Sequence, residues 1–304
     1  MFEKVDTYGY FCSVKNLYKR TDVFRCVHEA HRNFKSSLSV NHILKEKDCY
    51  PYGCFYFRWH CKLLSKQSRC HRGFSHVGRK CTGCKHFYED KIHNYPELQI
   101  SEAKYREFLD ELSDFEEWLE ENLEREHEIA GRVAGIKPLF RKKVYPKTSY
   151  YSFQGYLLIF REVFIGRIHF EDEAYLRVSR RSYQNLRVGT GSELEFSALL
   201  KMDRGRILLE RMRRVDVVEK GSPPDWNDQK VLVARETATE FPEQPENCVR
   251  CAYGALVDVD YQRDHRAHSK RSLLCLKGMQ DYQDCYIGAG YCGLDNEADE
   301  SCRA

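Results

Sequence analysis

No stretch of this 304-residue chain approaches the roughly 18 consecutive apolar residues of a membrane span, which excludes a membrane-crossing helix from the reading. The first residues, Met1-Phe2-Glu3-Lys4-Val5-Asp6, are charged where a secretory signal would begin its basic and then apolar run. The expectation is therefore a cytoplasmic protein with no membrane partner. There is no P-loop, no dinucleotide-binding fingerprint and no internal repeat. No motif names a reaction, so the reading leans away from an enzyme, although a thiol nucleophile's base can lie anywhere in a sequence. Cysteine is absent between Cys84 and Cys248, and that gap gives the rest of the composition its meaning.

Of the 14 cysteines, eight lie from Cys12 to Cys84 and six from Cys248 to Cys302. A disulfide scaffold belongs to small secreted domains, whereas CxxC spacings in a cytosolic chain point to thiolate-bound metal, either zinc or an iron–sulfur cluster of the 4Fe-4S type. In the N-terminal block the strongest element is Cys81-Thr82-Gly83-Cys84. A CxxC turn faces two thiolates toward one metal while backbone amides donate to the sulfurs, and Gly83 relaxes the backbone for it. The preferred ligand set is Cys61, Cys70, Cys81 and Cys84, with Cys49 and Cys54 as replacements for the first two. His60, His71, His76 and His86 are interspersed as further donors. The C-terminal block offers Cys248-Val249-Arg250-Cys251 with Cys275 and Cys285, followed by Cys292 and Cys302, and Arg250, Arg271 and Lys277 stand near enough in sequence to offset thiolate charge. The two knuckles could also close a single site.

Two other metal chemistries fail on spacing. Cys26-Val27-His28-Glu29-Ala30-His31 places its histidines three apart, one short of a zinc-protease HExxH helix. A zinc deaminase needs His and Glu two apart and a proline before CxxC, but His28 adjoins Glu29 and Lys80 precedes Cys81.

Charge alternates in blocks. Residues 1–100 carry 18 basic and 9 acidic side chains, residues 101–130 carry 3 and 12, residues 131–221 carry 19 and 10, and residues 222–304 carry 9 and 15. The first acidic block is also the clearest periodic one: Tyr105, Phe108, Leu109, Leu112, Phe115, Leu119 and Leu123 recur at helical spacing. This predicts an amphipathic helix from Ser101 to about Ala130, ended by Gly131, Gly135 and Pro138, whose acidic face is either solvated or docks a basic protein partner.

From Tyr150 to Val218 the character turns to short β-prone runs, at Tyr150–Phe160, Glu173–Val178, Leu194–Ala198 and Arg206–Leu209, with a hairpin loop at Asp203-Arg204-Gly205. In strand count and length the pattern resembles an OB-fold barrel, which implies a small antiparallel barrel of about 70 residues. Its arginines interleave with aromatics, and Arg177, Arg180, Arg181 and Arg187 with Tyr175 and Tyr183 are the candidate contacts to single-stranded nucleic acid. The alternative is that these aromatics are core and the arginines a solvated rim.

The combined expectation is an α+β chain. It has a cysteine-rich metal-binding module at 1–100, an acidic amphipathic helix and connector at 101–148, an OB-like barrel at 149–221, a linker at 222–247 and a second cysteine-rich module at 248–304. Its expected function is that of a metal-binding accessory protein for single-stranded nucleic acid. An iron–sulfur electron-transfer protein and a metal-stabilised assembly subunit are the alternatives.

Overall fold

The structure is a computed structural model, and it describes residues 13–26, 38–241, 243–261, 268–285 and 287. In chain order the elements are β1 (Ser13–Val14), β2 (Phe24–Arg25), β3 (Cys54–Cys61), β4 (Phe87–Asn94), β5 (Glu97–Leu98) and α1 (Glu102–Asn122). They continue with β6 (Glu126–Val144), β7 (Ser149–Ile165), β8 (Ile168–Phe170), β9 (Ala174–Val178), α2 (Arg180–Leu186), β10 (Glu193–Asp203) and β11 (Arg206–Glu219). The last are α3 (Asp228–Thr237), β12 (Thr239–Phe241), α4 (Glu246–Arg250), β13 (Gly254–Tyr261) and β14 (His268–Cys275). The chain divides into two compact units, one of residues 20–105 and one of residues 1–19 with 106–304. Among the described residues no helix is long and apolar enough to cross a membrane.

The larger unit is a ten-stranded mixed sheet in the order β1-β8-β7-β9-β11-β10-β6-β13-β14-β12, with β6 also paired to β7. This overturns the expected small antiparallel OB-like barrel. The strands run far past the short β-prone runs of the sequence, since β6 has 19 residues and β7 has 17. Three of the ladders are parallel, β1 with β8, β9 with β11 and β13 with β6. The sheet also recruits β12, β13 and β14 from the segments read as a linker and a C-terminal module.

β6 organises the sheet, pairing with β7 along its length, with β10 at Glu126–Arg132 and with β13 at Arg141–Val144. Gly131 and Gly135 do not end a helix. They sit at register shifts of the β6–β7 ladder, where bulges bend a long strand. Pro138 pairs with Tyr156 in the stretch between the β10 and β13 ladders, where its missing N–H leaves no third strand without a donor. The hairpin at Asp203–Arg206 is as expected: Arg204 and Gly205 both adopt positive φ, 51° and 79°, as a two-residue primed turn requires.

The acidic helix is real but shorter than expected, stopping at Asn122. It buries Phe108, Leu112, Phe115, Trp118 and Leu119, while Leu109 points outward. Trp118 stacks on Phe170 at 5.8 Å and on Phe115 at 6.0 Å, and the ring of Tyr18 meets Phe115 edge-on at 5.3 Å. Leu112→Asp is therefore expected to destabilise the protein by about 3 kcal/mol or more, because an unpaired carboxylate would enter this packed face. Glu117 lies on the exposed face, and Glu117→Lys is expected to change stability by less than about 0.5 kcal/mol. Thermal melts of the two variants check the assignment, and equal shifts would refute it.

Candidate metal centre

The unit of residues 20–105 has little regular structure. β2 pairs with β5 over two residues, and β3 pairs with β4 over eight, from Cys54 opposite Asn94 to Cys61 opposite Phe87. Between the strands of that hairpin lies the long connection 62–86, which contains only single 3-10 turns.

The connection folds back so that Cys61, Cys70, Cys81 and Cys84 line one pocket, walled by Phe74, Val77 and Phe87. Each cysteine is placed by a local device. Cys61 is the last residue of β3, and the ladder is extended past it by the Lys62 N–H donating to the His86 carbonyl at 2.8 Å. The knuckle forms as the Cys84 N–H donates to the Cys81 carbonyl at 2.8 Å, and the Phe87 N–H to the Cys84 carbonyl at 2.9 Å delivers the chain into β4. Cys70 heads a turn closed by the Gly73 N–H at 3.0 Å. The Arg72 N–H also donates to the Cys70 sulfur at 3.4 Å. Backbone N–H groups of Arg72 and then Phe74 hold the Cys70 thiol below its ordinary pKa, the pattern that favours a thiolate. The Arg72 side chain donates to the Lys80 carbonyl at 3.2 Å and so ties the Cys70 turn to the knuckle. Gly83 has no positive φ and open space around its Cα, so this knuckle does not need the glycine that the sequence offers.

Four sulfurs in one pocket, with amide donors on one of them, match the donor chemistry of zinc or an iron–sulfur cluster. The side chains as they stand are not a coordination sphere: among the described residues no three Cys, His, Asp or Glu side chains are arranged to hold a metal ion.

Cys49 and Cys54 are not part of this pocket. They meet Cys26, a residue that no spacing rule singled out. Of the histidines, His76 lines the pocket, whereas His60 stacks on Tyr88 and pairs with Asp90 at 3.1 Å. His71 and His86 meet edge-on at 5.7 Å. His28, His31, Cys12, Cys292 and Cys302 lie outside the described residues.

The C-terminal knuckle is built on the sheet of the other unit. Cys248 lies in α4, Cys251 follows it, and β13 begins at Gly254 directly opposite Cys275, the last residue of β14. A Cβ at Gly254 would lie 1.7 Å from the Cys248 carbonyl oxygen, so only glycine permits this approach. The Tyr253 N–H donates to the Cys251 sulfur at 3.4 Å. The turn is held from beneath by Lys137, whose ammonium donates to the carbonyls of Val249 at 2.7 Å and Gly254 at 2.9 Å, and whose pKa burial pushes down to about 8. Cys285 lies beyond β14, its N–H directed at the Tyr282 carbonyl at 3.4 Å. The basic residues expected to offset thiolate charge have other partners. Arg250 pairs with Glu246 at 2.7 Å, Lys277 lies 4.3 Å over the Tyr253 ring, and Arg271 is bound by Asp203 and Asp258.

The residues chosen for nucleic acid are mostly engaged. Tyr175 and Tyr183 are buried, the first donating to Glu173 and the second packed on Tyr156 at 3.9 Å between ring centres. Neither ring offers an open face to a base. Arg177 pairs with Glu210 at 2.7 Å, and Arg180 pairs with Asp228 at 2.6 Å while covering the Phe153 ring. Arg181 and Arg187 are exposed.

Protein purified without oxygen is expected to carry about one equivalent of zinc, or about four of iron for a 4Fe-4S cluster, in the pocket, and Cys81→Ser is expected to remove it and lower the melting temperature, because binding and folding are coupled in thiolate sites. Metal analysis beside a thermal melt checks this, and a Cys81→Ser protein with unchanged metal content would exclude the pocket. The sequence matches no protein-family model and no curated protein, so the reading of this centre rests on its own geometry.

Proposed function

We propose that residues 20–105 form a metal-braced module that binds single-stranded nucleic acid, and that the protein serves as a non-enzymatic accessory factor in the cytoplasm. The observation that carries this reading is an aromatic stripe on β3. Phe55, Phe57 and Trp59 alternate along one face of the hairpin and are 54%, 51% and 38% exposed. Tyr52 and Tyr95 near the other end of the hairpin are exposed as well. Large apolar rings left in water on a two-stranded ribbon contribute nothing to a core, and stacking on bases gives them a use.

Charge supports the same ligand. From Cys49 to Tyr88 there is no Asp or Glu, while eight residues are Lys or Arg. On the stripe itself Lys91, opposite Phe57, holds its ammonium 4.2 Å over the Phe55 ring. A positive surface with sequence-tolerant stacking is the usual design of single-strand binders. The pocket at the base of the hairpin would lend rigidity to the strand that carries these rings, of which Phe55 and Phe57 meet edge-on at 5.8 Å and Trp59 meets Phe87 at 6.2 Å.

A fluorescence-anisotropy titration with a labelled single-stranded oligonucleotide at low and moderate salt tests the reading. Binding is expected to weaken steeply as salt rises. Phe57→Ala and Trp59→Ala are each expected to cost about 1–3 kcal/mol of affinity without lowering the melting temperature. Replacing Arg181 and Arg187 is expected to leave affinity unchanged. Absence of binding at low salt, or binding indifferent to the aromatic truncations, would refute the proposal.

A further inference from the structure

In the unit that holds the ten-stranded sheet, β6 and β7 meet in a hairpin whose last paired row is Val144 with Ser149. The turn beyond it, Tyr145-Pro146-Lys147-Thr148, is closed by the Tyr145 N–H donating to the Thr148 carbonyl at 2.8 Å. Pro146 fixes its own φ and so narrows the conformations open to the tip. Flanking the turn are Tyr145 and Tyr150, 37% and 46% exposed, their rings near-parallel at 16° and 6.0 Å apart between centres. Such a pairing steadies both rings but leaves much of their surface in water. Strand β9 covers β7 only from Tyr156 to Phe160, so the outer end of β7 has β6 as its sole sheet neighbour among the described residues. From Arg141 to Gln154 four residues are Lys or Arg and none is Asp or Glu. Two of the four are engaged from neighbouring strands, Arg141 by Asp260 at 3.8 Å and Lys142 by Glu240. Tyr151 is engaged as well, its hydroxyl donating to Glu240 at 2.9 Å. Lys143 stands opposite Tyr150 in one ladder and opposite Asp260 in the other, and Lys147 lies in the turn. Neither lysine has a carboxylate within ion-pair distance among the described residues.

We propose that the tip of the β6–β7 hairpin is a second contact for single-stranded nucleic acid, in which Tyr145 and Tyr150 stack on bases and Lys143 and Lys147 hold the flanking phosphates. The inference rests on the ligand class proposed above but uses none of the same residues. Directly opposed residues of an antiparallel ladder point to the same face, about 5 Å apart at Cβ, so the Lys143 charge stands beside the Tyr150 ring and can meet a phosphate while the ring meets a base. Rings already held parallel lose little freedom when a base stacks on them, and ammonium groups that displace counterions from phosphate add affinity at low salt. Stacking and point charges read no base edge, so the contact is tolerant of sequence. Two unpaired lysines beside paired ring faces suit bases better than an anionic lipid surface, which calls for a cluster of four or more basic residues.

The full-length chain is titrated by fluorescence anisotropy against a labelled oligothymidylate at low and moderate salt, as wild type, Tyr150→Ala, the pair Lys143→Gln with Lys147→Gln, and the pair Phe57→Ala with Trp59→Ala. Tyr150→Ala is expected to weaken binding about five-fold or more. The lysine pair is expected to weaken it and to flatten the log–log salt dependence by about 1.4, from about 0.7 for each phosphate contact on a single strand. Weakening in these variants with none in the Phe57 and Trp59 pair would support the tip and remove the β3 stripe. Weakening confined to the Phe57 and Trp59 pair would overturn the tip and leave the stripe standing, and no binding by the wild type would overturn both. Should Tyr150→Ala lower the melting temperature, the lysine pair decides alone, and an unchanged salt slope would overturn the proposal. Co-sedimentation with phosphatidylserine vesicles runs beside the titration: capture by vesicles with no binding to the oligonucleotide would overturn it as well.

Discussion

The β3–β4 hairpin cannot stand on apolar burial. Of the residues in its two strands only Cys61 is buried, and Phe55, Phe57 and Trp59 face water. An isolated two-stranded ribbon is marginal in water at best, and a long connection without its own secondary structure adds entropy to be overcome. The hairpin and residues 62–86 therefore need cross-links, and the four cysteines of the pocket are placed to supply them. Small units with thin cores are commonly held in this way by disulfides or metal.

The other unit obeys different physics. Its ten-stranded sheet buries a broad apolar core that includes Tyr156, Leu158, Phe160, Phe196 and Leu209, and α1 packs its own apolar face through Trp118 and Phe170. Among its described residues, the buried charges of Arg271 and Lys137 are partnered. Arg271 on β14 holds Asp203 of β10 and Asp258 of β13, and Lys137 of β6 satisfies two carbonyls of the C-terminal knuckle. Such groups fix which strands meet, since losing one partner would strand a buried charge. The C-terminal cysteines are accordingly attached to a framework that already stands, whereas the N-terminal ones belong to the framework itself.

What the sequence revealed and what it concealed follow from local versus distant causes. The α1 stripe was legible because its periodicity is local, although Trp118 was missed and Leu109 wrongly included. The Arg204-Gly205 turn was legible for the same reason. β6 was hidden because Gly131, Gly135 and Pro138 usually end elements, and only the pairing with β7 shows that they mark bulges and a gap in the neighbouring ladders. The pocket quartet could be grouped from proximity to the CxxC knuckle. Cys26 could not, since it reaches Cys54 only through the pairing of β2 with β5 and β3 with β4, which no spacing encodes. Tyr175 and Tyr183 misled for a general reason: aromatic residues interleaved with arginine look alike whether the rings line a groove or fill a core.

The central claim, that metal at the cysteines holds the hairpin in place, is tested most directly by amide hydrogen exchange with and without chelator. The account predicts that chelation strips protection from residues 54–61 and 87–94 while β6 and β7 keep theirs. A hairpin equally protected after its metal has been removed would contradict it.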